Sequence, residues 1–170
     1  LKPNNVIFDD HYHAKITDFF LSKYTHQNPR ELLEAASYNK CAILYLSPEA
    51  FSASHFTKGG DVYSFAMIVY QIMSTKEPFS DMTFDQIVKK VSRGVRPEFN
   101  FKIPDQYRRL IEKCWAQEPT KRPTFADIVH ELRTNPKYIT ELVSREEYFA
   151  FISQIDQLVM SSAKSKPTKI

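Results

Sequence analysis

A short antiparallel hairpin followed by a series of amphipathic helices is what this sequence predicts, an α+β fold that is mainly α-helical. Three observations carry that reading. Two short apolar runs flank a polar turn within residues 5–17, and one segment near the middle of the chain is apolar on nearly every face. Four later stretches repeat apolar residues at helical spacing behind capping residues or proline.

Asn5-Val6-Ile7-Phe8 and Ala14-Lys15-Ile16-Thr17, separated by the polar residues 9–13, give the hairpin. Between about 18 and 46 neither a helical nor a strand period survives, so a long loop is expected, and loops of that length in a compact domain are usually functional. Ser47-Pro48-Glu49 puts a cap residue before a proline at the first helical position and starts a short helix. The segment Val62 to Met73 is apolar all round, as a helix at the centre of a domain is. Thr83-x-x-Gln86 has the form of a capping box, and the helix it opens carries Ile87, Val88 and Val91 and stops at Gly94. Tyr107, Leu110, Ile111, Cys114 and Trp115 follow Pro104 at helical spacing, and Pro119 closes that helix. Thr124-x-x-Asp127 begins another, with Phe125, Ile128, Val129 and Leu132 expected inward. Ser144-x-x-Glu147 opens a last helix with Tyr148, Phe151, Ile152, Ile155, Leu158 and Val159 on one stripe, read as docked on its own domain, while residues 161–170 are expected to fray.

At 170 residues and 42% apolar content the chain is one domain or a large part of one. Its net charge of +3, with acids and bases mixed along it, points to neither nucleic acid nor a membrane surface as partner. No run approaches the roughly 18 apolar residues of a spanning helix, and the N-terminus lacks the regions of a signal peptide. Cys41 and Cys114 stand apart without ligand spacing, so free thiols, an inert Cys41 and a cytoplasmic location are expected. His11-x-His13 in the hairpin turn reads as solvated rather than metal-binding.

The motifs fall in one order. Leu1-Lys2-Pro3-Asn4-Asn5, Asp18-Phe19-Phe20, Ser47-Pro48-Glu49, Asp61-Val62-Tyr63-Ser64-Phe65-Ala66, Cys114-Trp115 and Arg122-Pro123 together resemble the C-terminal lobe of the protein kinase family over residues 1–134. The wording Leu110-Ile111-x-x-Cys114-Trp115 and Arg122-Pro123-Thr124-Phe125 is most similar to the tyrosine-kinase-like group of serine/threonine kinases. The resemblance implies a protein-kinase-like fold, with the chain starting just after the catalytic aspartate, the N-lobe absent, a helical extension at 135–160 and a flexible tail at 161–170. It implies a serine/threonine protein kinase in full-length form, taking ATP, Mg2+ and a protein substrate, of unknown oligomeric state, with this fragment inactive alone. Phosphoryl transfer is mostly positioning and charge stabilisation. By resemblance, Asn5 and Asp18 are the oxygen ligands of magnesium, and Lys2 offsets charge on the transferred group, a lysine that favours serine/threonine over tyrosine specificity. Glu49 and Arg122 correspond to a structural ion pair, and Asp61 would accept backbone hydrogen bonds from the catalytic loop and cap its own helix.

Besides the absent N-lobe, the match departs in two places. Phe20 stands where the family has glycine, which restricts the backbone there, and Ala42 replaces a threonine that would hydrogen-bond the catalytic groups, with Cys41 in place of the preceding glycine. An alternative reading is therefore a pseudokinase, a binding or scaffolding module. Ser22, Thr25, Ser37 and Tyr38 lie in the segment where phosphorylation would order an activation loop.

Overall fold

The computed structural model describes residues 1–19, 40–51, 57–141 and 143–164, at positions 40, 41 and 162–164 for the backbone only. They fall into two compact units, one ending at Phe125 and one starting at Ala126.

The first unit begins with a 3-10 turn at Pro3–Asn5 and the strands β1, Val6–Phe8, and β2, Ala14–Ile16. They pair antiparallel with Val6 opposite Ile16, Ile7 opposite Lys15 and Phe8 opposite Ala14. The turn is built by Asp9, whose Oδ1 accepts from the His11 and His13 N–H groups at 3.0 and 2.9 Å, while Lys15 Nζ lies 3.0 Å from Oδ2. The His13 N–H bond and the Lys15 ammonium hold the Asp9 carboxyl well below the usual carboxylate range. Thus the two histidines belong to an aspartate-centred turn, with His13 Nδ1 3.2 Å from Asp9 Oδ2 and the rings 6.0 Å apart.

Two four-residue helices follow, α1 at Lys40–Ile43 and α2 at Pro48–Phe51. Helix α2 starts where Ser47-Pro48 predicts, whereas α1 lies inside the stretch read as loop. A single turn offers too few residues for a period, so nothing in the sequence marks it.

The centre of the unit is α3, Lys58–Ser74, which buries Val62, Tyr63, Ser64, Ala66, Met67 and Tyr70. It begins four residues before the apolar run, and Thr57 is its cap, with Oγ1 accepting from the Gly60 N–H at 2.9 Å. Gly59 and Gly60 hide this start in the sequence. A side chain at Gly59 would meet the Pro119 carbonyl oxygen at 3.2 Å and its Cβ at 3.3 Å, so glycine stands where the 3-10 turn Pro119–Lys121 closes on the helix. The far end of α3 is less enclosed than an all-round apolar pattern implies, with Ile72 66% exposed.

Helix α4, Phe84–Ser92, has the expected capping box, and Gly94 at φ 88° follows its C-cap Arg93. It packs on α2. Helix α5, Asp105–Cys114, packs on α3 and contributes the buried Leu110, Ile111 and Cys114. Each such side chain fully removed from water stabilises the fold by about 1.5–3 kcal/mol. The irregular segment between α4 and α5 is held by aromatic rings. Tyr70 of α3 lies 5.7 Å from Phe99, 5.5 Å from Phe101 and 6.0 Å from Trp115, and its hydroxyl donates to the Glu98 carbonyl at 3.0 Å.

Thr75 caps α3 in the left-handed region at φ 59°, which costs a β-branched residue about 1–2 kcal/mol. Its hydroxyl offsets part of this by donating to the Ser74 carbonyl at 2.7 Å. Glycine would remove the steric cost but add unfolded-state entropy, so Thr75→Gly is expected to stabilise by roughly 0.5–1 kcal/mol and to raise Tm by about 1–4 °C in a calorimetric scan.

In the second unit α6, Phe125–Thr134, is followed by a 3-10 turn at Pro136–Tyr138 and by α7, Arg145–Lys164. Of the four residues expected inward on α6, Ile128 is buried but Phe125 and Val129 are 38% and 47% exposed. The stripe on α7 divides likewise: Tyr148, Ile152 and Ile155 are half-buried, while Phe151, Leu158 and Val159 are exposed. The Ser144 capping box forms, with Glu147 N–H donating to Ser144 Oγ at 3.1 Å and Ser144 N–H to Glu147 Oε2 at 3.2 Å. Arg133 and Asp156 pair at 2.6 Å. Helix α7 continues past 160 to Lys164, and residues 165–170 of the expected tail lie outside the described residues. No helix among the described residues is long and apolar enough to cross a membrane.

Candidate active site

The register of the hairpin decides what its open end brings together. Because Val6 faces Ile16, Asn5 stands opposite Thr17, and the Thr17 N–H donates to the Asn5 carbonyl at 2.8 Å. Asp18 is then the next residue, and the Asn5 side-chain Nδ2 donates to the Asp18 carbonyl at 3.4 Å. Asp18 is in the left-handed region at φ 54°, a conformation in which aspartate is several-fold enriched over other residues. Its carboxylate is exposed and has no partner among the described residues. Lys2 is half-buried one turn before Asn5, whose N–H donates to the Lys2 carbonyl at 3.0 Å, and its ammonium is likewise unpartnered among the described residues.

The donor set suits a hard cation. An amide oxygen and a carboxylate are hard ligands, and magnesium commonly takes only one or two protein oxygens and fills its octahedron with water and substrate phosphate. Among the described residues no group of three or more His, Cys, Asp or Glu side chains converges as a metal-holding cluster. A two-ligand arrangement of this kind therefore depends on a phosphate ligand to complete it.

Asp61 differs from its expected role at one point. It lies in the first turn of α3 with Oδ1 3.6 Å from the Leu1 nitrogen, facing the segment before Asn5, but the helix cap is Thr57. Three residues of backbone before Asp61 are already helical, which rules it out as the cap.

Glu49 and Arg122 form the expected pair. Arg122 Nη1 and Nη2 meet Glu49 Oε1 and Oε2 at 2.7 and 2.8 Å, a bidentate fork in which the arginine side chain is wholly buried. The remaining donors of Arg122 reach the Ala116, Gly59 and Gln117 carbonyls at 2.8, 2.9 and 3.2 Å. Burial pushes the Glu49 carboxyl up, but the Arg122 hydrogen bonds and charge outweigh it and hold the group below its ordinary value.

Three contacts are not signalled by the sequence motifs. Arg96 and Arg122 both lie over the Tyr63 ring, at 5.0 and 5.3 Å from its centroid. Burial pushes the Tyr63 phenol up to about 12, and its hydroxyl has no hydrogen-bond partner among the described residues. Tyr45, 2% exposed just after α1, donates its hydroxyl to Gln71 Oε1 and accepts from Ser64 Oγ at its carbonyl at 2.8 Å, so the segment leading into α2 is bolted to α3. Tyr63 and Ser64 stand in the quoted Asp61–Ala66 motif and Gln71 on the helix that follows it, but neither names these partners, and long-range polar pairs leave no local signal. Ala42 is half-buried in α1 and accepts from the Tyr45 N–H at 3.3 Å. Phe20, Ser22, Thr25, Ser37 and Tyr38, and the Cys41 side chain, lie outside the described residues.

Comparison with known proteins gives the lineage. The model of the family described as protein tyrosine and serine/threonine kinase matches residues 1–132. The human ankyrin repeat and protein kinase domain-containing protein 1 is 36% identical over 140 residues, covering 77% of this chain and 18% of that protein. Bovine receptor-interacting serine/threonine-protein kinase 2 is 35% identical over 144 residues, 78% of this chain and 27% of its own length. Dual specificity protein kinase shkC of Dictyostelium discoideum is 35% identical over 137 residues, 78% of this chain and 26% of its own length. The chain thus spans roughly a fifth to a quarter of these relatives. The hairpin with its Asn5–Asp18 bond, the Glu49–Arg122 fork and the helical core around α3 agree with that match, and the late motifs keep their likeness to the tyrosine-kinase-like group. The chain belongs to the protein tyrosine and serine/threonine kinase family.

Proposed function

We propose that the full-length protein is a serine/threonine protein kinase that transfers the ATP γ-phosphate to protein hydroxyls, using Lys2, Asn5 and Asp18. The observation that supports this reading is the hydrogen bond from the Asn5 side-chain amide to the Asp18 backbone carbonyl, which ties Asn5 to the segment that carries Asp18 at the open end of the hairpin. Asn5 and Asp18 would hold Mg2+ through their side-chain oxygens, and the ion would supply neutralisation of phosphate charge. Lys2 adds a positive charge beside the transferred group and helps to orient the attacking hydroxyl. Asp61 steadies the segment that carries Lys2, and the Glu49–Arg122 fork fixes the end of the 42–49 segment against which a protein substrate lies. A cytoplasmic location belongs to the same reading.

The second reading, a pseudokinase that acts as a binding module, has one observation in its favour: the Ala42 methyl cannot make the hydrogen bond of the threonine it replaces. Transfer of labelled phosphate from ATP to a serine/threonine peptide library by the full-length protein separates the two. Asp18→Ala is expected to lower the rate by at least about 10²-fold, the scale of losing one preorganised charge-stabilising group. Equal rates for the two proteins would leave the binding-module reading standing.

A further inference from the structure

Arg96 is a half-buried cation in no direct ion pair among the described residues; the nearest charge support is the Coulombic attraction of Glu49, which is already held by Arg122. Its Nε donates to the Trp115 carbonyl at 2.9 Å, its Nη1 to the Val91 and Val95 carbonyls at 3.3 and 2.9 Å, and its Nη2 to Gln117 Oε1 at 2.7 Å. All four acceptors are neutral, and one of the five guanidinium N–H groups is left over. Arg122 differs, since Glu49 neutralises it in place. Two cations thus share one carboxylate, and burial with the repulsion of Arg122 outweighs the attraction of Glu49 and pulls the Arg96 guanidinium below its ordinary range.

Beside this arginine pair opens a cleft of about 260 Å³ lined by Pro48, Glu49, Ser92 and Gln117. Gln117 joins the two, since its Oε1 accepts from Arg96 and its Nε2 donates to the Ser92 carbonyl at 3.1 Å. Ligand pockets for whole small molecules begin at about 300 Å³, so the cleft has room for one or two side chains and not for a nucleotide. Glu49 does not make it repel anions, because both of its oxygens are taken by Arg122. The last turn of α4 adds Lys89 and Lys90, followed by Arg93, all exposed and in no ion pair among the described residues. The acid of that helix, Asp85, is in its first turn, at the opposite end.

From this arrangement we infer that the cleft between α2 and α4 is a docking site for an acidic polypeptide segment. One carboxylate or phosphoryl side chain enters over Ser92 and Gln117, and neighbouring acids lie along Lys89, Lys90 and Arg93. The inference does not depend on phosphoryl transfer and holds for an active kinase and for a binding module alike.

Fluorescence anisotropy on the full-length protein tests it, with three labelled peptides of equal length: glutamate-rich, the same with a central phosphoserine, and the same with lysine for glutamate. A single-stranded oligonucleotide is the fourth probe. The acidic peptides are expected to bind at least about tenfold more tightly than the lysine peptide, less so as salt rises, and the tighter of the two identifies carboxylate or phosphoryl as the entering group. Arg96→Gln would loosen the fold, so the variants are on the surface. The triple reversal Lys89→Glu, Lys90→Glu, Arg93→Glu and the cleft-filling Ser92→Tyr are each expected to weaken binding about tenfold with Tm unchanged. Equal binding of acidic and basic peptides, or an oligonucleotide bound as tightly as the peptides, overturns the inference. So does loss on charge reversal with Ser92→Tyr unaffected, because a diffuse field would then account for the binding without the cleft.

Discussion

Replacing Arg122 by Ala is expected to destabilise the fold by about 3–5 kcal/mol, the cost of leaving a mostly buried charge without its partner. Glu49 is 15% exposed and would keep both oxygens out of water, while the Ala116, Gly59 and Gln117 carbonyls would lose their donor. Urea unfolding reads the change as a drop in midpoint of about 1–5 M at a slope near 1–3 kcal/mol/M. Lysine should not rescue it, since one ammonium cannot span two carboxylate oxygens and three carbonyls. The same pair sets a pH dependence. Glu49 has a folded value below its ordinary 4.5, so the unfolded chain binds the proton more tightly. This contribution is present above about pH 4.5 and is lost as pH falls through the lower folded value. Arg122→Ala is therefore expected to lose less Tm than the native protein on acidification below pH 4.5; parallel curves would mean that another carboxylate governs acid stability.

Ile111→Ala in α5 should cost about 2–5 kcal/mol, through lost transfer energy and the cavity left behind. Ile111 is 0% exposed, and the helix it belongs to packs on α3, where Tyr63, Ala66 and Met67 are equally enclosed. Chemical denaturation gives the magnitude, and Ile111→Val, one methylene smaller, is the graded control at about 0.5–1.5 kcal/mol. A loss under about 1 kcal/mol for the alanine variant would mean that α3 and α5 close around the gap.

Local chemistry was legible in the sequence where it sufficed to define an element. Thr83 and Gln86, Ser144 and Glu147, and Ser47 before Pro48 each carry their own hydrogen-bonding or φ constraint, so the starts of α4, α7 and α2 could be read directly. The hairpin was legible too, and its register follows from the two apolar runs. Elements defined by distant partners were not. The first turn of α3 needs Pro119 to explain its glycines, and α1 is a single turn with no period. Burial was overestimated on α6 and α7, because an apolar repeat fixes a face but not what covers it. For the candidate site, Asn5, Asp18, Glu49 and Arg122 were singled out through an ordered set of motifs, and the structure adds the Asn5–Asp18 and Glu49–Arg122 contacts. The contacts of Arg96, Tyr63, Tyr45 and Gln71 were not legible, although Tyr63 itself lies in a motif, since they join residues 19–59 positions apart or stack a guanidinium on a ring.

Glu49 and Arg122 are 73 residues apart in the chain. At a synthesis rate of about 5–20 residues per second, the carboxylate leaves the ribosome roughly 4–15 s before the guanidinium that answers it. Throughout that interval the segment ending at α2 has no reason to settle, because its acid is better hydrated than buried. The fork is thus a late clasp in biogenesis, and a nascent chain arrested ahead of position 122 should stay open to chaperones with the segment that ends at α2 unfastened.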